Sequence, residues 1–259
     1  AHREIRAFTE DIALDYLKTP FDCFIGGGEH FFNDRPDRLN LEDSLKQRGY
    51  VIRRGTSMNR LPLDGSAPFM LFTADREPPT ASDTRHYLPP ATRTACEFLQ
   101  KRSDKGFFLM VEGGRIDHAL HGTNAKRALE DTVAFDNAIK TALAKVDLTN
   151  TLIVVTADHD HTMTINGYSA KGNPILGLVT DKDGNQATDV NGRPYTTLVF
   201  GNGSNRRHCY HCLHVGHRLL QNRSNDDKPI ASRSYRHHDG LSGKHYHVAC
   251  SRNRYMDLC

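Results

Sequence analysis

Two short apolar runs, GFFLMV at residues 106–111 and TLIVVT at residues 151–156, constrain this chain more than any other feature. Each is continuous rather than alternating, as a strand must be when both faces of its sheet are covered. Between them, residues 124–145 carry Ala125, Ala128, Leu129, Val133, Ala138 and Leu143 near helical spacing. Strand, helix, strand points to an α/β fold, a doubly wound and mainly parallel sheet flanked by helices.

The rest of the chain repeats the alternation. Ile5, Phe8, Ile12, Leu14 and Leu17 predict a helix over residues 4–18, stopped by Thr19-Pro20. FDCFI at residues 21–25 reads as a buried strand closed by Gly26, Gly27 and Gly28. A phosphate-binding glycine loop needs a following Lys or helix signature that is missing here, so the triplet is read as a tight turn. A short helix over residues 39–50, with Gly49 at its end, leads into a small strand at residues 50–53. Residues 54–90 are rich in Pro, Thr, Ser and Asp and read as a surface excursion returning in a helix at residues 90–101. Turn residues fill 167–194, and YTTLVF at residues 195–200 supplies a further strand.

Length and composition fit one sizeable core, with 259 residues and 37% hydrophobic content. No apolar run is long enough to span a membrane, and AHREIRAFTE lacks the basic-then-apolar pattern of a signal peptide. The net charge of +3 is uneven: residues 204–259 hold ten Lys/Arg against four Asp/Glu, leaving residues 1–203 mildly acidic. Eight of the fifteen His and four of the six Cys also fall after residue 203, and Cys23 and Cys96 alone make no case for a disulfide. The expected division is a domain over residues 1–203 and a basic, His/Cys-rich tail over residues 204–259.

Both long apolar runs end in potential ligands, and the C-terminal edge of a parallel sheet is where such folds bind ligands. The first run leads to Glu112, Asp117 and His121, the last two at a four-residue interval that puts them on one helical face. The second leads to Asp158, His159, Asp160 and His161. Carboxylates with imidazoles suit zinc, and a carboxylate-dominated position near Glu112 suits magnesium. Any one of these residues alone would be an ordinary solvated charge at a strand end. Gathered at two strand ends, they mark a metal site.

VEGGRIDHALHGTNA followed by TLIVVTADHDHT resembles the alkaline phosphatases, and DCFIGGGEHFF and INGYSAKGNPILGL fit the same family. The resemblance runs from Ala1 to about Gly203. It implies phosphate monoester hydrolysis through a phosphoserine, with two Zn2+ and one Mg2+. Glu112 falls on the magnesium ligand, Asp117 and His121 on ligands of one zinc, and Asp158 and His159 on ligands of the other. His161 falls on a position that supports a ligand rather than binding metal. Arg6, within AHREIR, falls on the arginine that grips two phosphate oxygens, and His118 on a residue that tunes phosphate binding. A planar guanidinium suits the bidentate contact. Small-molecule phosphate monoesters are the implied substrates, a homodimer the implied assembly, and a periplasmic or secreted parent the implied setting.

Three family features find no match in these residues: the Asp-Ser-Ala nucleophile segment, the aspartate shared by zinc and magnesium, and a hydroxyl ligand of magnesium. Asp43-Ser44 sits in an amphipathic helix pattern and Asp83-Thr84 in the surface excursion. The expectation is therefore a partial domain, truncated at its N-terminus, that lacks its own nucleophile. His238 lies about where the third zinc histidine is due, in a tail whose composition suggests out-of-frame translation. A competing reading makes His208, Cys209, His211, Cys212, His214 and His217 a zinc- or nucleic-acid-binding tail. Against it, no second Cys/His pair falls at zinc-finger spacing and aromatics for base stacking are few.

Overall fold

The structure, a computed structural model, describes residues 4–5, 7–84, 87–167, 169–201, 218–220 and 248–250. Arg6 and His238 lie outside the described residues, as does the Cys/His group at residues 208–217.

In chain order the elements are α1 (Thr9–Lys18), β1 (Cys23–Gly26), α2 (His30–Asn33), α3 (Leu41–Gln47), β2 (Val51–Arg54), β3 (Phe69–Phe72), α4 (Ala81–Thr84), α5 (Leu88–Arg102) and β4 (Phe108–Leu109). There follow α6 (Arg115–His121), α7 (Ala125–Leu143), β5 (Thr151–Val155), β6 (Met163–Ile165), β7 (Leu198–Phe200), β8 (Arg218–Leu220) and β9 (Val248–Cys250). The architecture is α/β, with a parallel sheet flanked by helices. β1, β3 and β2 form a parallel sheet in that order, Phe69 standing between Cys23 and Val51. β4 and β5 each pair antiparallel with β9, so they run in the same direction and deliver their C-terminal ends to the same edge. β8 adds an antiparallel partner to β5, and β6 pairs antiparallel with β7.

The central strand of the first sheet is β3, inside the stretch expected to be a surface excursion. Phe69, Met70, Leu71 and Phe72 are all buried to within 1% of full enclosure. A four-residue apolar run has neither helical period nor strand alternation, and its Pro- and Asp-rich flanks drown it in any longer window. Each phenylalanine there contributes about 1.5–3 kcal/mol of burial. Phe69 meets Phe98 of α5 edge-on at a centroid distance of 4.8 Å, tying helix to sheet.

Two further boundaries move. α1 starts at Thr9, leaving Ile5 and Phe8 exposed, because the described packing begins only with Ala13. On α7, Val133 is 55% exposed, and the stripe facing the core is Ala128, Asp131, Ala134, Phe135, Ala138 and Ala142. An aspartate thus takes a core position that the apolar pattern skipped. Asn124 caps this helix by accepting from Arg127 N at 3.1 Å.

The glycine triplet is a turn, as the sequence suggested, and one of its members has a specific reason to be glycine. A Cβ on Gly27 would stand 1.9 Å from the Arg76 carbonyl oxygen, where the chain leaving β3 crosses the chain leaving β1. Ser44 lies half-buried within α3. Cys23 and Cys96 are both buried and unbridged.

Candidate metal centre

α6 and the loop after β5 face each other across a cavity of about 310 Å³. The chain reaches α6 from β4 through Glu112, Gly113 and Gly114, and both glycines stand where a side chain would be crowded. A Cβ on Gly113 would meet Ile116 Cδ1 at 3.0 Å and Phe135 Cγ at 3.1 Å, and one on Gly114 would meet the Glu112 carboxylate at 3.1 Å. Glycine at both positions lets Glu112 fold over the turn and join the cavity lining.

Asp117 is the hub. Its Oδ1 is shielded from solvent and stands 3.5 Å from His121 Nε2, one helical turn along α6, and 3.8 Å from His159 Nε2 across the cavity. His159 Nε2 is in turn 3.5 Å from Asp158 Oδ2. These separations exceed a good hydrogen bond. They lie near the edge of a zinc tetrahedron, about 3.3 Å when bonds are about 2.0–2.1 Å. Ligand atoms of Asp117, His121 and His161 all fall within 4.8 Å of one another, and the His121 and His161 rings meet edge-on at 4.9 Å.

Hydrogen bonds sort the two histidines of the β5 loop. His159 Nδ1 lies 2.8 Å from the Asp160 carbonyl oxygen, which only accepts, so the proton sits on Nδ1 and the Nε2 lone pair is left for a metal. His161 is wired the opposite way. Its Nδ1 accepts from Thr162 N at 2.9 Å, so in the neutral ring the proton sits on Nε2. The donor set of acids and imidazoles thus fits a divalent cation.

Of the residues singled out from sequence, Asp117, His121 and His161 come together in one tight group. Asp158 and His159 join them through Asp117, and Glu112 and His118 line the same cavity. Sequence reasoning missed Arg115 and Asp131, both of which line it as well. Asp131 is 7% exposed, and its Oδ1 accepts from Ala81 N at 2.9 Å. Burial pushes its carboxyl above the usual range, the Ala81 N–H and the Arg115 guanidinium opposing that only in part. The signal for Asp131 was its register: it falls three residues after Ala128 on the buried stripe.

The comparison with family models decides the affiliation: the model described as alkaline phosphatase matches residues 2–244. The chain belongs to the alkaline phosphatase family. The match continues past residue 203, into the basic tail. Curated relatives include the tissue-nonspecific isozyme of Gallus gallus, 41% identical over 134 residues, covering 52% of this chain and 24% of that protein. The membrane-bound alkaline phosphatase of Bombyx mori is 44% identical over 124 residues, or 48% of this chain and 21% of that one. The alkaline phosphatase of the Antarctic bacterium TAB5 superposes with a TM-score of 0.59 at 34% identity, over 66% of this chain and 51% of its own. A variant of that enzyme, described with Mg bound in its M3 site, gives 0.62 at 31% identity over 78% and 55%. The chain therefore spans about a quarter of the curated relatives' length and about half of the solved structures'.

Proposed function

We propose that this chain carries most of the metal-binding apparatus of a phosphate monoester hydrolase. The observation that supports it is Asp117 Oδ1, shielded and shared between His121 and His159 at separations suited to metal ligands. Asp117 and His121 hold one zinc, Asp158 and His159 the second, and Glu112 a magnesium. His161, grouped with Asp117 and His121, supports the ligands rather than binding metal itself, as orienting residues at metal sites do. Zinc bound there supplies Lewis acidity toward phosphoryl oxygens.

The remaining assignments follow the family pattern. Arg6 and His118 contact the phosphate, and His238 completes one zinc site. The substrates are small-molecule phosphate monoesters. None of the described hydroxyls is assigned as nucleophile, and we expect these 259 residues by themselves to bind metal and phosphate with little turnover. The whole enzyme works outside the cytoplasm as a homodimer. Among the described residues no helix is long and apolar enough to cross a membrane.

Equilibrium dialysis against zinc and inorganic phosphate tests this reading. Two zinc ions per chain are expected, with phosphate uptake only in their presence, and an Asp117→Ala, Asp158→Ala double variant should lose both. Undiminished zinc binding by that variant would move the metal to the Cys/His group at residues 208–217 and overturn the proposal. Rapid turnover of p-nitrophenyl phosphate by the pure chain would refute the view that it lacks a nucleophile.

A further inference from the structure

The first turn of α6 contains a contact that the metal ligands do not explain. Arg115 Nη1 lies 2.6 Å from Nδ1 of His118, three residues on, and both side chains line the cavity. A guanidinium has five donors and no acceptor, so the direction of this bond is fixed: arginine donates and the imidazole Nδ1 accepts. An Nδ1 that accepts has no proton of its own. The ring hydrogen is then on Nε2, at the far side of the ring from Arg115, where it can be given to an anionic oxygen.

We propose that Arg115 is a positioning residue that locks His118 in the Nε2–H form, so that the ring donates a hydrogen bond to a phosphate oxygen held in the cavity. The inference rests on the phosphatase reading for the identity of the anion, but the lock itself stands on local geometry. Arg115 is well placed for the task. Its Nε is shielded from solvent, and the contact to His118 is made from the exposed end of the fork, through Nη1. Behind it Asp131 is buried on α7, accepts from Ala81 N and interacts electrostatically with Arg115. An arginine suits this contact better than a lysine, whose point charge imposes no direction.

Nitrogen-15 NMR of the His118 ring in the full 259-residue chain reads the tautomer directly. A single Nε2–H form is expected in the parent chain, and a mixture with Nδ1–H in Arg115→Ala. Unchanged ring signals from His121 and His161 would show that the variant retains its fold. An Nδ1–H ring in the parent chain overturns the proposal even should the variant fail to fold. So does a His118 spectrum that Arg115→Ala leaves unaltered. In the zinc-loaded chain, inorganic phosphate should shift the His118 Nε2 signal, and Arg115→Ala should weaken phosphate binding by about 5- to 20-fold, in line with loss of one well-placed hydrogen bond. Equal phosphate affinity in both proteins sinks the role of the lock. Absence of phosphate uptake by the parent chain, with the tautomer as expected, sinks the phosphatase reading instead.

Discussion

Two buried carboxylates, one in each half of the molecule, meet opposite fates. Glu42, on α3 beside the β1–β3–β2 sheet, accepts from Asn33 Nδ2 at 2.5 Å, pairs with Lys46 at 3.1 Å and is gripped by Arg54. Burial raises its pKa, but these partners outweigh it and hold the carboxyl below its ordinary value. Asp131, beside the cavity, has one N–H partner, and burial wins. Acids that serve the fold are matched by positive charge from the chain itself. At the strand ends, Asp117 and Asp158 stand beside imidazoles, and Asp117 Oδ1 has two of those at distances too long for good hydrogen bonds. That contrast separates scaffold from site without reference to any relative, since acids grouped with imidazoles are suited to receive a cation from solution.

The contrast breaks most visibly at Asp117. Asp117→Ala should lower zinc affinity by at least about 100-fold, because it removes the oxygen that two imidazoles share. His161→Ala should cost less, about 10- to 100-fold, the range for groups that orient a ligand. Calorimetric titration with zinc compares the two. Equal losses would make His161 a ligand in its own right and reverse its hydrogen-bond assignment.

The scaffold half should respond in stability, not in metal binding. Gly27→Ala places a methyl group against the Arg76 carbonyl, backbone that cannot rotate away. A cost of about 1–3 kcal/mol is expected, at the upper end since both chains belong to the sheet. Urea denaturation measures it, and a loss below about 0.5 kcal/mol would mean that the crossing of β1 and β3 is looser than described. Glu42→Gln should cost about 1–2 kcal/mol at neutral pH, moderated because Arg54 and Lys46 are half exposed. A carboxyl with a lowered pKa contributes stability above its unfolded value, near 4.5, and loses it as pH falls through the folded value. The gap between parent and variant should therefore narrow below about pH 4.5. A gap that persisted would show that shape rather than charge makes the contact.

Residues 106–111 and 151–156 announced two strands, although β4 is confined to Phe108–Leu109 and Leu152 of β5 is 45% exposed, and the ligands after them were legible since strand ends are where α/β folds place chemistry. β3 was hidden by its neighbours: four apolar residues between Pro68 and Asp75 make a weak pattern, although their place at the centre of a parallel sheet is decided by pairing with β1 and β2, which lie far off in sequence. The opposed wiring of His159 and His161 was equally out of reach. Both lie in ADHDHT, and only the folded loop shows that one ring donates to a carbonyl and the other accepts from an N–H. Asp131 was lost for a simpler reason, since a search for apolar periodicity passes over a buried acid.

The smallest expected effect is also the sharpest test of the contrast between the two acids. A carboxyl whose pKa is raised by folding is favoured in its protonated form, so its contribution is fully present below the unfolded value of 3.8 and is lost as pH rises through the folded value. Asp131→Asn keeps an oxygen to accept from Ala81 N and removes the buried charge. At neutral pH the variant should be as stable as the parent or more so, by less than about 1 kcal/mol, with the advantage vanishing below about pH 4. Thermal melts across that range decide the matter. A loss of more than about 1 kcal/mol at neutral pH would mean that attraction to Arg115 exceeds the cost of burial, and Asp131 would then join Glu42 among the acids that hold the fold together.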